Sequence, residues 1–388
     1  MKIKKTIISV IAAISLSTSA FCAEIGGIFK NESALSVNKF DFSKYNFTQA
    51  NGIYLWLTSP IANTGWDFSS EALYKIKFYA PLNKFVNILD VDLFKFSNQT
   101  EVKNGKFDFS IGRFFFADNT ASIFAQVCDG AYVQYSLPSV SFGFYGGYTG
   151  LLNSLNVTML SKDAYAVASG DSNQNVYSLA YRYVPILFSV QFPSLWGNQS
   201  LGVQGSAFID LGSEEYNRFY LNLLAKGPVK GSIYYEASTT FGIPNFDFAN
   251  ALSNYTNLKM SYYIKENMAV YADVVYASGN NGFLHTFRGF TSKTAYYSYP
   301  QPELSGVIIP GAKFSMTGSY VSLETAAKLV FGVPDSQISF NGVEADGTFY
   351  FNVASDLQVS LDIKVYADIA TKGENSNYQA GVNLVFAF

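Results

Sequence analysis

Apolar and polar side chains alternate along much of this chain. In residues 357–369, Leu357, Val359, Leu361, Ile363, Val365 and Ala367 alternate with Gln358, Ser360, Asp362, Lys364, Tyr366 and Asp368. Successive side chains of an extended strand point to opposite faces, so the pattern predicts a strand with one apolar and one polar face. A helix would scatter the same residues around its circumference. Residues 378–388 repeat the pattern, with Tyr378, Ala380, Val382, Leu384, Phe386 and Phe388 on one face and Gln379, Gly381, Asn383 and Ala387 on the other.

Strands with the same alternation are predicted over residues 52–58, 70–79, 85–96 and 106–116. In the third of these, Leu89, Val91 and Leu93 oppose Asp90 and Asp92. In the fourth, Phe107, Phe109 and Ile111 oppose Lys106, Asp108 and Ser110 until Gly112-Arg113, where Phe114 and Phe116 take the parity of the polar set. A glycine beside a phase change predicts a β-bulge. Prolines mark three predicted turns: Pro138-Ser139 between strands 132–137 and 140–148, Val184-Pro185 between 176–183 and 186–192, and Gly227-Pro228 between 216–226 and 229–241, with a further strand over 199–209 ahead of that last pair. Further strands are predicted at 258–264, 268–277, 306–316, 320–331 and 348–353. Short turns alternate with longer connections at 150–175, 242–257, 278–303, 333–342 and 370–377. Residues 23–50 are less regular and read either as a first hairpin or as a plug-like segment.

A strand with a continuous apolar face that ends on an aromatic residue resembles the closing strand of a bacterial outer-membrane β-barrel. Gly381, Leu384, Phe386 and Phe388 resemble the C-terminal signal read by the barrel-assembly machinery. The resemblance implies an all-β, transmembrane, antiparallel up-and-down β-barrel with short periplasmic turns and longer extracellular loops. About 365 residues after removal of a leader allow about 16 to 18 strands in one closed domain. The expected organisation is a signal peptide over residues 1–22, an N-terminal segment over 23–50 and the barrel over 51–388.

Composition supports this reading. Charged residues make up only 14% of the chain and aromatic residues 17%, too little charge to cover a soluble domain of this size. Yet no run of apolar residues beyond the N-terminus is long enough for a helical membrane span. At the N-terminus Lys2, Lys4 and Lys5 precede the apolar run 7–16, and small residues follow at 17–20, which reads as a secretory signal. Cleavage fits after Ala20 or after Cys22, and Phe21 is a poor match to the small residue that precedes a lipidated cysteine. Three lysines leave with the leader, so 23 basic side chains face 29 acidic ones, a net charge of −6. A surface of that sign disfavours nucleic acid as a partner. Loss of Cys22 would leave Cys128 without a disulfide partner.

If the apolar faces meet lipid, the opposite faces line a lumen. The inward acids are then Glu71, Asp90, Asp92, Asp108, Glu236, Asp273, Glu324, Asp356, Asp362 and Asp368. The inward bases are Lys75, Lys77, Lys106, Arg182, Arg218, Lys226, Lys328 and Lys364. Near balance implies at most a weak cation preference. Between Arg113 and Asp129 lies an apolar loop, which has little reason to face open water and is expected to fold inward and narrow the pore. Arg113 is placed to pair with Asp118 or Asp129 and pin it; an ordinary surface loop is the competing reading. The order Gly112-Arg113, Asp118, Asp129-Gly130 and Tyr148-Thr149-Gly150-Leu151 resembles a pattern in spirochaete outer-membrane barrels.

No catalytic, metal-binding or cofactor-binding residues are predicted. The single histidine, His285, lies in a long loop without a recognisable nucleophile pattern, and one histidine cannot build a multi-histidine metal site. Trp56, Trp66, Trp196, Tyr296, Tyr297 and Tyr299 read as a membrane-interface girdle in preference to sugar-stacking platforms. The expected function is a porin-like channel for passive diffusion of small hydrophilic solutes. The alternatives are a surface adhesin displaying residues 150–175 and 278–303, and a transporter of hydrophobic compounds with a hatch at 24–50. Outer-membrane lipid, the assembly machinery and small solutes are the expected partners, with homo-oligomerisation left open.

Overall fold

A computed structural model describes residues 23–80, 83–157, 176–212, 217–245, 247, 251–280, 284–291, 305–333 and 338–388. The leader and Cys22 lie outside the described residues. The strands are β1 (Glu24–Asn38), β2 (Tyr45–Ile61), β3 (Trp66–Tyr79), β4 (Lys84–Val102), β5 (Gly105–Ala117), β6 (Ala125–Ser136), β7 (Ser141–Tyr148), β8 (Tyr183–Phe192) and β9 (Ser200–Asp210). They continue as β10 (Arg218–Lys230), β11 (Ile233–Pro244), β12 (Ser253–Lys265), β13 (Met268–Ala277), β14 (Val307–Met316), β15 (Val321–Gly332), β16 (Ser339–Asn352), β17 (Leu357–Asp368) and β18 (Asn377–Ala387). Each strand pairs antiparallel with the next, and β18 pairs back onto β1, from Ile28↔Ala387 to Asn38↔Asn377. The result is a closed 18-stranded antiparallel barrel, in which every strand has a partner on both sides among the described residues.

Closure turns on a glycine. Gly27 N–H donates to the Phe388 carbonyl at 2.8 Å, and Phe388 N–H donates to the Gly27 carbonyl at 2.9 Å. The Phe388 ring occupies the space above Gly27: a Cβ there would lie 2.4 Å from it. Residues 24–50 therefore stand in the wall, as β1 and the start of β2, so the barrel begins before residue 51.

Alternation sorts the two faces as the pattern requires. Ile53, Leu55, Phe188, Leu258, Met260 and Ile363 are all more than two-fifths exposed on the outside, where only a non-aqueous surrounding would suit a continuous apolar band. Tyr54, Gln204, Asn222, Glu344 and Ser360 are buried on the inside. Connections at one rim are short, among them residues 103–104, 231–232 and 266–267; those at the other include 149–182 and 278–306.

Several predicted details differ. Val184-Pro185 is no turn: both lie within β8, and Pro185 sits beyond Ile186, the last residue of the β7 ladder, so its missing N–H costs no bond there. Gly227-Pro228 lies within β10, and the chain turns at Gly231, whose φ is 57°. Residues 176–182 make only an isolated bridge, Asn153↔Leu179, and not a strand. β16 begins nine residues before the predicted start at 348, which brings Glu344 and Asp346 into the wall. Trp56 pairs with Gly26 and Glu71 on the inner face, so it is not part of an outer girdle. Trp66 does lie outside, edge-on to Phe109 with ring centroids 5.6 Å apart. Tyr296, Tyr297 and Tyr299 lie outside the described residues.

The bulge is displaced too. β5 keeps an unbroken register with β6 from Lys106↔Ser136 to Ala117↔Ala125, so no phase slip occurs at Arg113. Phe114 and Phe116 turn inward because a second apolar core awaits them there. The register shift lies instead opposite Glu71/Ala72, where β4 passes from Val91 to Leu93 and brings Leu93 to the inner side with Asp92. Gly112 has φ 121°, and a Cβ on it would lie 2.0 Å from the Phe94 carbonyl oxygen. Gly112→Val is therefore expected to cost about 1–3 kcal/mol in backbone strain alone, seen as a lower yield of heat-modifiable barrel.

Candidate functional site

The wall is interrupted at the loop rim. Pairing of β4 with β5 ends at Phe94↔Arg113, and pairing of β6 with β7 ends at Asp129↔Tyr148. Beyond those rungs β5 and β6 hold only each other, and their tip, residues 114–128, leaves the wall for the lumen. The segment after β7 takes its place. Leu89 N–H of β4 donates to the Val176 carbonyl at 3.2 Å, and Asn153 Nδ2 donates to the Leu89 carbonyl at 3.0 Å. Ser154 N–H to the Ser178 carbonyl, at 2.7 Å, ties the two limbs of this patch together.

Apolar packing explains why the tip turns inward. Phe116 stacks on Tyr145 at 4.0 Å, and Phe208 on Phe290 at 4.1 Å. Phe124 lies among Tyr145, Phe208 and Phe290. Ile123, Phe124, Tyr145, Tyr183, Leu187 and Phe208 are each no more than 1% exposed. At roughly 1.5–3 kcal/mol for a fully buried large apolar side chain, this inner core outweighs the wall rungs that the tip gives up. Polar contacts then set its position. Asn119 N–H donates to Gln204 Oε1 at 2.9 Å, Gln191 Nε2 donates to Asn119 Oδ1 at 3.0 Å, and the N–H groups of Phe290 and Thr291 donate to the Ile123 carbonyl. The tip thus lies within the barrel against β8, β9 and the segment 284–291.

Arg113 holds the place where tip, wall and patch meet. Its Nε and Nη2 donate to the two oxygens of Asp129 at 2.8 and 2.9 Å. Nη1 donates to Asp90 Oδ1 and to the Val91 carbonyl, each at 3.2 Å, while Nη2 also reaches the Leu151 carbonyl at 2.8 Å. Five donors meet five acceptors, which a planar guanidinium supplies and an ammonium cannot. The node gathers Arg113, Asp129 and Leu151 from the three elements singled out in the sequence, and adds Asp90, which was read only as a wall acid.

Asp118 is not a partner of Arg113. Its Oδ1 accepts from the N–H groups of Ile123 and Phe124 at 2.9 and 2.7 Å, and its Oδ2 accepts from Thr120 N–H and Oγ. It folds the loop upon itself, a role that Asp followed by Asn119-Thr120 signals in sequence as an Asx turn.

The opposite wall carries charge. Lys328 donates to Glu344 at 2.8 Å and to Asp346 at 2.9 Å, and Lys313 to Glu324 at 2.6 Å. Asp362 accepts from Thr348 and Asn383. Across β1–β4 stand Lys30 over the Tyr54 ring, then Glu71, Asp90 and Asp92, the last two receiving the Asn156 amide. Lys30, Glu32, Lys259, Lys313, Glu344 and Asp346 are further inner-face charges that sequence reasoning missed; their facing follows from strand pairing, with Lys30 and Glu32 in the irregular stretch 23–50 and Glu344 and Asp346 ahead of the predicted start of their strand. Of the residues it placed inward, Asp356 falls in the turn 353–356 and Arg182 in a connection. His285 lines a cavity of about 200 Å³ with Arg218, Tyr220, Ser253 and Arg288 at the loop rim. Ser253 Oγ there donates to the Gly242 carbonyl.

Gly381 faces inward on β18, while Leu384 and Phe386 face outward beside Asn31 and Phe29. Among the described residues no group of three or more His, Cys, Asp or Glu is arranged to hold a metal ion. Cys128 is buried and unbridged.

No protein-family model matches this chain, and no curated protein matches it in sequence. Solved structures do. The outer membrane protein OpdK of Pseudomonas aeruginosa, crystallised with vanillate, superposes with a TM-score of 0.63 at 10% identity over 94% of this chain and 98% of its own. OprD, an outer membrane protein of the same organism, gives 0.61 at 10% identity over 95% and 94%, and OccK5 gives 0.59 at 10% identity over 94% and 98%. These neighbours lend nothing to the spirochaete resemblance of residues 112–151. At this identity the likeness is one of fold: over nearly its whole length this chain has the barrel fold of these outer membrane proteins.

Proposed function

We propose that this chain is an outer-membrane channel through which small hydrophilic solutes diffuse passively. The observation that carries the reading is the divided lumen: an apolar core holds the β5–β6 tip against one side, and a charged wall on β14–β18 and β1–β4 faces it. A polar path bounded by fixed charges passes water and small solutes and leaves hydrophobic ones without a surface to bind. Arg113, Asp129 and Asp118 then act on the constriction, the first two by anchoring the tip and the third by shaping its loop. The rim with short turns would face the periplasm, and the β18 terminus with Gly381, Leu384, Phe386 and Phe388 would be the part that the assembly machinery reads. Passive diffusion needs no chemical step, so the channel reading is that of a non-enzyme.

Neither rival gains support. A hatch would have to come from residues 24–50, and these form wall strands. The adhesin reading rests largely on residues 158–175 and 292–303, which lie outside the described residues. The spirochaete resemblance stays a reading of the sequence.

Liposome swelling tests the proposal: vesicles carrying the refolded protein should swell in small sugars and amino acids at rates that fall with solute size. Rates equal to empty vesicles would refute it. Wall charge should also be readable. Glu344→Gln with Asp346→Asn removes two negative charges beside Lys328, so the zero-current potential in a salt gradient should move toward anion preference.

A further inference from the structure

Two rungs of the outer wall are polar where their surroundings are apolar. On the outside of β1 and β2, Asn31 pairs with Asn51 and Ser33 with Gln49. The same rungs continue into Leu384 and Val382 on β18, and into Ile76 and Phe78 on β3. The rung below carries Phe386, Phe29 and Ile53, and the rung above Ala380, Leu35 and Phe47. The polar rungs therefore lie inside the apolar band and not at its margin, where water or lipid headgroups would serve them.

Their hydrogen bonding is incomplete. Asn31 Nδ2 donates to Asn51 Oδ1 at 2.7 Å, and Ser33 Oγ lies 3.4 Å from Asn31 Oδ1. Among the described residues nothing accepts from Asn51 Nδ2, and the Gln49 amide has no partner. All four residues are partly exposed. An amide turned toward hydrocarbon with no partner is costly, because no water is there to replace the bond. A hydrocarbon chain cannot satisfy it; a protein surface at the same depth can. Primary amides and hydroxyls both donate and accept, so this set complements another copy of itself.

We propose that Asn31, Ser33, Gln49 and Asn51 form the face through which this chain associates with a second copy of itself within the membrane. Burial against that copy gives each amide a partner and leaves the surrounding apolar rungs to pack. The inference rests on the membrane-spanning barrel and not on conduction: a conducting monomer overturns it alone, while assembled barrels that never conduct overturn the channel alone.

The test compares the full-length protein with the triple variant Asn31→Leu, Gln49→Leu, Asn51→Leu in nanodiscs extracted directly from the membrane. The wild type should have the mass of two or more chains, and the variant the mass of one chain, with heat-modifiability retained. A monomeric wild type, or a variant with the wild-type mass, overturns the proposal. If the triple variant does not insert, a single cysteine decides. Ser33→Cys chains should be joined by a short bis-maleimide several times more efficiently than Leu223→Cys chains, whose cysteine lies outside β10 on the far side of the barrel. Equal yields overturn the proposal. Both variants also carry Cys22→Ser, and Cys128, fully buried, does not compete for the reagent.

Discussion

Arg113→Ala is expected to release the β5–β6 tip and the wall patch together. The guanidinium is the shared partner of Asp90, Asp129 and the Leu151 carbonyl, and its side chain is 12% exposed. Its removal strands two acids beside each other, Asp90 at 5% exposure and Asp129 at 24%. Loss of one member of such a buried pair costs about 3–5 kcal/mol, most of it from the charge left behind. The cost falls on a local element held by few backbone rungs, so it should appear as local opening while the rest of the barrel stays folded. In reconstituted vesicles, external protease should cut within 118–124 or 149–157 in the variant and spare the wild type, and open-channel current should become noisier. Arg113→Lys should restore little, since an ammonium cannot span Asp129 bidentately and also reach Leu151. Wild-type cleavage and current in Arg113→Ala would remove the anchoring role, and with it the pinned constriction.

Deletion of residues 386–388 should abolish insertion of the barrel. Phe388 makes both backbone bonds to Gly27 and fills the space above it, Phe386 pairs with Phe29 and Leu357, and Ala387 N–H donates to the Asp356 carbonyl. The deletion removes the last rungs on both sides of β18, where the barrel closes. The groups of β1 and β17 left unpaired at this end of the seam would cost up to several kcal/mol each wherever no water replaces the lost bond. The expected result is loss of heat-modifiable protein from the outer membrane. Gly27→Phe should approach the same outcome by displacing the Phe388 ring. Normal levels of heat-modifiable protein after the deletion would show that neither closure nor recognition depends on these residues.

Much of the barrel was legible because lipid and lumen impose opposite demands on successive residues. Where both demands act, as along β17 and β18, parity in the sequence equals facing in the structure. It failed where the inner face serves a different purpose. Phe114 and Phe116 face inward to pack the tip, so their parity mimics the phase change of a bulge beside Arg113 that is absent. Pro185 and Pro228 were read as turns because ladder interiors rarely hold proline, yet each sits where its ladder ends or shifts register. The link between Arg113 and Asp129 was readable from neighbouring strands. Asp90 and Leu151 were not, since the tip first had to leave the wall for them to meet Arg113.

Single-channel recording in planar bilayers tests the central claim most directly. Refolded wild-type protein should give discrete, ohmic current steps, and replacement of residues 119–123 by a short glycine-serine turn should enlarge them, because the tip then no longer narrows the lumen. Wild-type protein that inserts as a heat-modifiable barrel yet produces no current steps would contradict a water-filled path through it.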